Sequence, residues 1–430
     1  MKRYDAYKST GIPWIPEVPE HWEMRKLRHF IEIISEKNHP QEPLLSIVRD
    51  QGVILRDITS KEENHNAIPD DLSGYKLIEK GHFAINKMKA WQGSYGVSSY
   101  RGIVSPAYYT CRLNFEHKAY FNLAIRSDAY VPFFTQYSKG IRVGQWDLSP
   151  IGLKEIPFFL PPLSEQRAIV AYIERKERQI DTYIARQAEQ IERLKELRQT
   201  IISHAVTRGI HPYTRFRPTG IPWIPEVPEH WECVELKRVT VFNPSRKENI
   251  DGDTLVGYAP MEIVRSNMES CLTIKVCKLT AGLTYFEEGD VVLAKVTPCF
   301  ENGNVAIIPR MIHYCGFGSS ELFVYRCKDK LAPKLLFYYF QSAGFVSAGT
   351  ASMTGTGGLK RVSPVFARNA KIPLPPLSEQ RAIVAYIEKK TAAVDRMINA
   401  CREQTELMKA YKQRLISDAV TGRINGLPHD

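Results

Sequence analysis

Two letter-identical segments, each occurring twice, constrain this chain more than any other feature. Thr10–Glu23 reads TGIPWIPEVPEHWE, and Thr219–Glu232 reads the same fourteen letters 209 residues later. Leu160–Glu174 reads LPPLSEQRAIVAYIE and returns whole at Leu374–Glu388, 214 residues later. The stretches that follow end in ISHAVTRG from Ile202 and ISDAVTGR from Ile416, still at an offset of 214, so they have equal length without a gap. Between these markers, Met24–Phe159 and Cys233–Pro373 barely match and differ in length by five residues. The period lies far above the roughly 20–50 residues of a solenoid repeat. Drift after a plain duplication would spread differences over the whole chain. Here a frame is kept and the bodies are replaced, which suits one scaffold carrying two exchangeable recognition heads.

The shared tails read as long helices. Pro161-Pro162 and Pro375-Pro376 end whatever precedes them, because a residue before proline avoids the α region. Ser164 and Ser378 are then expected as N-caps, with Glu165 and Glu379 against the positive end of each helix. No Pro or Gly follows until Gly209 and Gly422, so each rod runs to about Val206 or Val420,. Apolar residues recur near a heptad. Ile173, Ile180, Leu194 and Ile201 share one position of the first rod, and Ile184, Ile191 and Ala205 the other. In the second rod these are Ile387, Val394, Met408 and Leu415, then Ile398 and Ala419. Gln187, Arg198, Thr405 and Lys412 interrupt the stripes. Such a stripe needs a partner helix. The nearest is the other copy, in an antiparallel pair related by a pseudo-two-fold axis; a second molecule is the alternative.

The expected fold class is α+β, two globular heads joined by two long antiparallel coiled-coil helices. The boundaries are residues 1–160 for the first head, 161–209 for the first helix, 210–374 for the second head, and 375–430 for the second helix and tail. Within the heads, strand-like runs at His82–Asn86, Val291–Val296, Val305–Ile308 and Leu322–Tyr325 alternate with turn residues,. Short helices are expected at Ala119–Ser127 and Pro333–Ser342.

The loops hold the candidate nucleic-acid contacts. Asn86–Tyr109 interleaves Lys87, Lys89 and Arg101 with Trp91, Gln92, Tyr95 and Tyr100, and a second basic loop carries Arg142, Gln145 and Trp146. The second head offers Lys295, Thr297 and Asn302 in AKVTPCFENG, then Ser319 and Ser320, then Lys360 and Arg361 after a glycine-rich turn. Lys and Arg suit phosphates or guanine edges, and Gln or Asn suits adenine. A solvated turn is the ordinary reading of any one such loop; their recurrence at matching places in both heads favours DNA. The formal charge of +11 over 430 residues points the same way, weakly,.

Chemistry of its own is not expected. No [DN]-P-P-[YF] tetrapeptide occurs, since Asn243-Pro244-Ser245-Arg246 and Leu160-Pro161-Pro162-Leu163 both fail the pattern. GTGGLKR lacks the spacing of a phosphate-binding loop. Glu116-His117-Lys118 and Glu235-Leu236-Lys237 supply half of a nuclease pattern without the upstream aspartate. The cysteines lack zinc spacing and read as buried thiols of a reducing cytosol. Neither a secretory leader nor a run of about 18 apolar residues is present, so a cytoplasmic protein is expected.

The doubled PPLSEQRAIVAYIE before long helices and the doubled GIPWIPEVPEHWE resemble the specificity (S) subunit of type I restriction–modification systems. EGDVVLAKVTPCFENGNVAII and KGHFAINKMKAWQGSYGVSS extend the resemblance into the heads. It implies two target recognition domains, each reading half of a split, asymmetric DNA sequence, with the helices fixing the gap. It implies double-stranded DNA as ligand, two methyltransferase (M) subunits and two restriction (R) subunits as partners, and no cofactor on this chain. S-adenosylmethionine, ATP and magnesium would belong to the partners. The competing expectation is a two-headed coiled-coil adaptor that binds proteins instead of DNA. A self-sufficient restriction enzyme is a third, disfavoured by the missing motifs.

Overall fold

A computed structural model describes residues 3–57, 68–140, 146–246, 249–279, 281–356 and 358–425. The chain divides into two compact units, one of residues 1–187 and 403–430, the other of residues 188–402. The long helices span Leu163–Arg208 and Leu377–Val420. Each unit therefore contains the start of one long helix and the end of the other. At a rise of ~1.5 Å per residue the first helix is about 69 Å long.

The repeated segments are repeated because they bind one another. Trp22 is fully buried in a β-hairpin frame, and its indole N–H needs an acceptor there,. Glu165, in the first turn of the long helix, accepts it at 2.9 Å and also takes His21 Nε2 at 2.6 Å. In the second unit, Trp231 donates to Glu379 at 3.1 Å and His230 lies 2.9 Å from the same carboxylate. Ser164 and Ser378 are not caps. Each helix starts at Leu163 or Leu377, two residues before the position a serine cap implies, so the serine is the second helical residue. The prolines already fix the extended backbone that a cap residue would supply, and Gln166 N–H bonds to the Pro162 carbonyl at 3.0 Å.

Gly209 and Gly422 end the helices with φ of +75° and +70°, a left-handed conformation that favours glycine,. A Cβ on Gly422 would strike Pro19, and one on Gly209 would lie 3.2 Å from Trp231. In the first unit the Tyr7 hydroxyl donates to the Gly422 carbonyl at 2.9 Å. Each buried tryptophan is thus covered by the end of the long helix from the other repeat.

Within each unit the helix segments run antiparallel. In the first, Lys412 pairs with Asp181 at 3.1 Å and Glu177 at 3.4 Å, and Tyr183 donates to Gln404 at 2.8 Å. In the second, Arg198 pairs with Asp395 at 3.1 Å. Two residues that interrupt the apolar stripe, Arg198 and Lys412, therefore form cross-helix ion pairs that pin register. Ile173, Ile180, Ile387, Val394, Ile398 and Leu415 are buried, whereas Ile184, Ile191, Leu194, Ile201 and Met408 are half-buried, as befits a two-helix seam with solvent on its flanks.

The two bodies share a sheet that their sequences conceal. The first has four antiparallel strands in the order Ile31–Ile34, Tyr109–Leu113, Phe83–Ile85, Tyr95–Val97. The second has Thr240–Phe242, Leu322–Cys327, Val291–Ala294, Val305–Ile307, also antiparallel and in the same spatial order. Helices Lys118–Ile125 and Pro333–Phe340 follow the matching strands and contribute to their cores. A sheet demands only apolar side chains of suitable size on its covered face, so the letters diverge while the topology stays. Beyond this sheet the bodies differ. The first adds a hairpin, Leu45–Val48 with Gly52–Leu55, and the pair Lys76–Ile78 with Gly102–Val104. The second adds another four-stranded sheet, in which Leu255–Ala259 and Cys315–Gly318 pair in parallel.

Candidate nucleic-acid interface

Each candidate surface starts where the chain leaves the third strand of the shared sheet. In the first unit, Phe83–Ile85 runs into Asn86, Lys87, Met88 and Lys89, then a short helix, Ala90–Gln92. The two-stranded ribbon Ser138–Lys139 with Asp147–Leu148 comes against this segment. Leu148 N–H bonds to the Lys87 carbonyl at 3.0 Å, the Lys87 ammonium meets Asp147 at 2.8 Å, and Trp91 lies 5.2 Å from Trp146. Asp147 raises the Lys87 pKa by stabilising the ammonium.

Lys89 and Gln92 are exposed and border a concavity of about 440 Å³. The hairpin contributes Arg49 and Arg56 to this wall, and Tyr75 and Tyr108 complete it. Asn86 lies on its floor, 4% exposed, with Oδ1 lacking a partner among the described residues. Arg126 braces the turn below by donating to the Arg49 and Asp50 carbonyls at 3.0 and 2.8 Å. Cationic groups, amides and aromatic faces around one hollow can contact phosphates and base edges together.

The second unit assembles its residues through one carboxylate. Glu321 receives the Arg361 guanidinium from Nε at 3.0 Å and Nη2 at 2.9 Å, and its backbone carbonyl accepts from Lys295 N–H at 3.0 Å. Arg361 holds the Glu321 carboxyl below its ordinary range. Ser319 Oγ accepts from the Glu321 N–H at 3.2 Å. Thr297 Oγ1 donates to the Gly358 carbonyl at 2.9 Å and accepts from Lys360 N–H at 3.0 Å. Lys295 projects over the buried Phe323 ring, 5.6 Å from its centre. Lys295, Thr297, Ser319, Lys360 and Arg361 are thereby fixed on one patch, with Ser320 and Asn302 exposed on its loops.

Two expectations need correction and two cannot be placed. Tyr95 is fully buried, stacked on Phe134 at 3.8 Å, and takes no part in any surface. It belongs to strand Tyr95–Val97, where its ring faces the core rather than the loop it follows in sequence. Arg101 is apart from the cluster, held by Glu42 and Glu79. Arg142 and Gln145 lie outside the described residues. Sequence reasoning missed Arg49, Arg56, Tyr75 and Tyr108. The apolar runs around RDQG in LSIVRDQGVIL were the available signal for the hairpin that carries both arginines. Among the described residues no group of three or more His, Cys, Asp or Glu could hold a metal. No helix among them is long and apolar enough to cross a membrane.

Residues 228–404 match the family described as the type I restriction modification DNA specificity domain. The type I restriction enzyme EcoAI specificity subunit of Escherichia coli is 33% identical over 176 residues, which are 40% of this chain and 30% of that protein. The EcoEI specificity subunit of E. coli is 29% identical over 214 residues, 49% of this chain and 36% of that protein, so the match spans about a third of each E. coli relative. The MjaX specificity subunit of Methanocaldococcus jannaschii, a putative one by its name, aligns over 98% of this chain and 97% of its own, at 24% identity. For the fold, a solved chain titled for complex assembly and conformational transition of the type I R-M system gives a TM-score of 0.65 at 20% identity, covering 95% of this chain and 99% of that one. The HsdS subunit of Thermoanaerobacter tengcongensis gives 0.52 at 19% identity, covering 95% and 98%. The chain is thus similar to type I restriction–modification specificity subunits, over residues 228–404 through the domain and along its length through the M. jannaschii protein, and it shares the fold of the first of these solved chains.

Proposed function

We propose that this chain is a non-catalytic subunit that reads a split, asymmetric DNA target, one half with each unit, while the long helices set the gap between the halves. M and R subunits dock on it and carry the S-adenosylmethionine, ATP and magnesium chemistry. One observation carries the reading. Both units place cationic and amide side chains at the same topological station, after the third strand of a shared sheet, in bodies that otherwise differ. Two unlike readers on one frame correspond to two unlike half-sites. Lys87, Lys89, Trp91, Gln92 and Trp146 contact DNA in the first unit, and Lys295, Thr297, Asn302, Ser319, Ser320, Lys360 and Arg361 in the second.

Mapping methylated adenines across the genome, with and without the gene, tests the reading. It expects one bipartite motif to vanish with the gene. Inserting one helical turn within residues 189–195 should then change only the number of bases between the half-motifs. An unchanged methylation map would refute the function, and altered half-site bases would refute the spacer role.

A further inference from the structure

Ile151 and Val365 are the two most exposed large aliphatic side chains among the described residues, at 77% and 70%. They also hold the same position of the repeat, at the offset of 214. Ile151 is the second residue of helix Pro150–Glu155, and Val365 the second of helix Pro364–Asn369. Each helix sits at the same station of its unit. The Ile156 carbonyl just after the first accepts from Leu27 N–H, and the Ala370 carbonyl just after the second from Leu236 N–H, both at 2.9 Å.

The solvent sides of the two helices are alike although their letters are not. PIGLKE and PVFARN share only the proline, yet in both an exposed cation, Lys154 or Arg368, follows the aliphatic residue three positions on. Residues three apart lie on one face of a helix. The inward side has changed freely, with Gly152 and Leu153 where the second unit has Phe366 and Ala367. Folding constrains the inward side and leaves the solvent side to drift, so the reverse pattern points to contact with something outside the chain.

Charge at the two helices agrees as well. Glu155 is shared by Lys26 and Arg28, and Glu235 by Lys237 and Arg238. Lys237 also donates to Asn369 of the second helix at 2.8 Å. Lys154 and Arg368 form no ion pair among the described residues. Each station therefore keeps a surplus of positive charge.

We propose that this helix face docks a protein bound in two identical copies, one on each unit, and that each copy offers a carboxylate beside an aliphatic recess. The unpaired cation calls for the carboxylate. The aliphatic residue calls for the recess, since so exposed a hydrocarbon gains nothing from a DNA phosphate. One face kept on two unlike bodies fits one partner used twice. The inference rests on the specificity-subunit reading above, in which that partner is the M subunit, because methylating each half-site needs one methyltransferase beside each reader.

The test titrates the full-length chain with its cognate M subunit and counts bound copies by native mass spectrometry. The wild type should take two. Ile151→Asp and Val365→Asp should each weaken one of the two binding steps about tenfold or more, and the double variant both steps. Lys154→Glu and Arg368→Glu should act likewise, each on its own unit. Ile151→Val and Val365→Ile should bind as the wild type does. All these side chains stand in solvent, so the melting temperature should hold throughout. Unchanged M binding in the aspartate variant of either unit would overturn the docking face and leave the function standing. So would a Lys154→Glu chain that binds M normally but shows a lower salt slope for DNA, which would make the helix a backbone contact. Weakened R binding with unchanged M binding would overturn the choice of partner. A wild-type chain that binds no M subunit would remove the functional reading, and this site with it.

Discussion

Replacing Glu165 by alanine should destabilise the first unit more than the matching Glu379→Ala destabilises the second. Glu165 accepts from Trp22 at 2.9 Å, from the Tyr4 hydroxyl at 3.0 Å and pairs with His21 at 2.6 Å. Trp22 is 0% exposed, so its N–H would have no solvent to turn to, a penalty of about 1–3 kcal/mol,. The half-buried Tyr4 bond to a charged acceptor adds about 1–2 kcal/mol. His21 is 46% exposed on its side chain, and its contribution is small after screening,. The expected loss is about 3–4 kcal/mol. Glu379 serves Trp231 and His230 alike, but Tyr213, the counterpart of Tyr4, is 96% exposed and contributes nothing. Glu379→Ala should therefore be milder by about 1–2 kcal/mol. Native-state hydrogen exchange read by mass spectrometry separates the units through peptides covering residues 15–22 and 224–231. Equal losses in the two units, or a loss below about 1 kcal/mol for Glu165→Ala, would refute the clasp as the reason the two repeated segments persist together.

Charge reversal at the exposed Lys89 and Lys360 should weaken DNA binding by the assembled complex and lower its salt slope by about one for each phosphate left unneutralised; an unchanged slope would remove that residue from the interface. The Glu321–Arg361 fork depresses the glutamate pKa from its ordinary 4.5. Its stabilisation is thus present above that value and is lost as pH falls through the lower folded-state pKa. Urea midpoints of the wild type should drop more steeply than those of Glu321→Gln on acidification below about pH 4.5, and parallel profiles would contradict this. Burial pushes the Cys111 thiol up to about 12, leaving about one thiolate in ten thousand at pH 8,. Iodoacetamide should label the exposed Cys277 in the native chain and spare Cys111 until urea is added, which peptide mass spectrometry checks directly.

The frame was legible because its constraints are local. Prolines, an uninterrupted helical stretch and a heptad stripe delimit the rods from the letters alone, and the helix starts shifted by two residues. That Trp22 and Glu165 meet was hidden, since nothing in a sequence links positions 143 residues apart. The candidate interface was half legible for a similar reason. Lys87, Trp91 and Trp146 stand out as basic and aromatic letters in glycine-bearing loops, and the structure joins them. Tyr95 carries the same letters' signature yet faces inward, because alternation along a strand, not residue type, decides which side a ring takes. Arg49 and Arg56 escape notice because their hairpin has no counterpart in the other repeat, so the internal duplication gives no cue to it.

Sharing the long helices has a consequence for what half a chain can do. One repeat holds the start of a rod and the tryptophan pocket, but the cover for that pocket is the far end of the other repeat's rod. A lone repeat is therefore incomplete, yet it owns a rod end of the very kind it lacks. Two identical copies could complete each other by reciprocal exchange, each lending its rod end to its twin, as in domain swapping. A fragment of this kind would form a homodimer and would carry the same reader twice. If each body reads one half of the proposed target, the target of such a dimer would be a palindrome, and the asymmetry would lie in the unlike bodies and not in the frame.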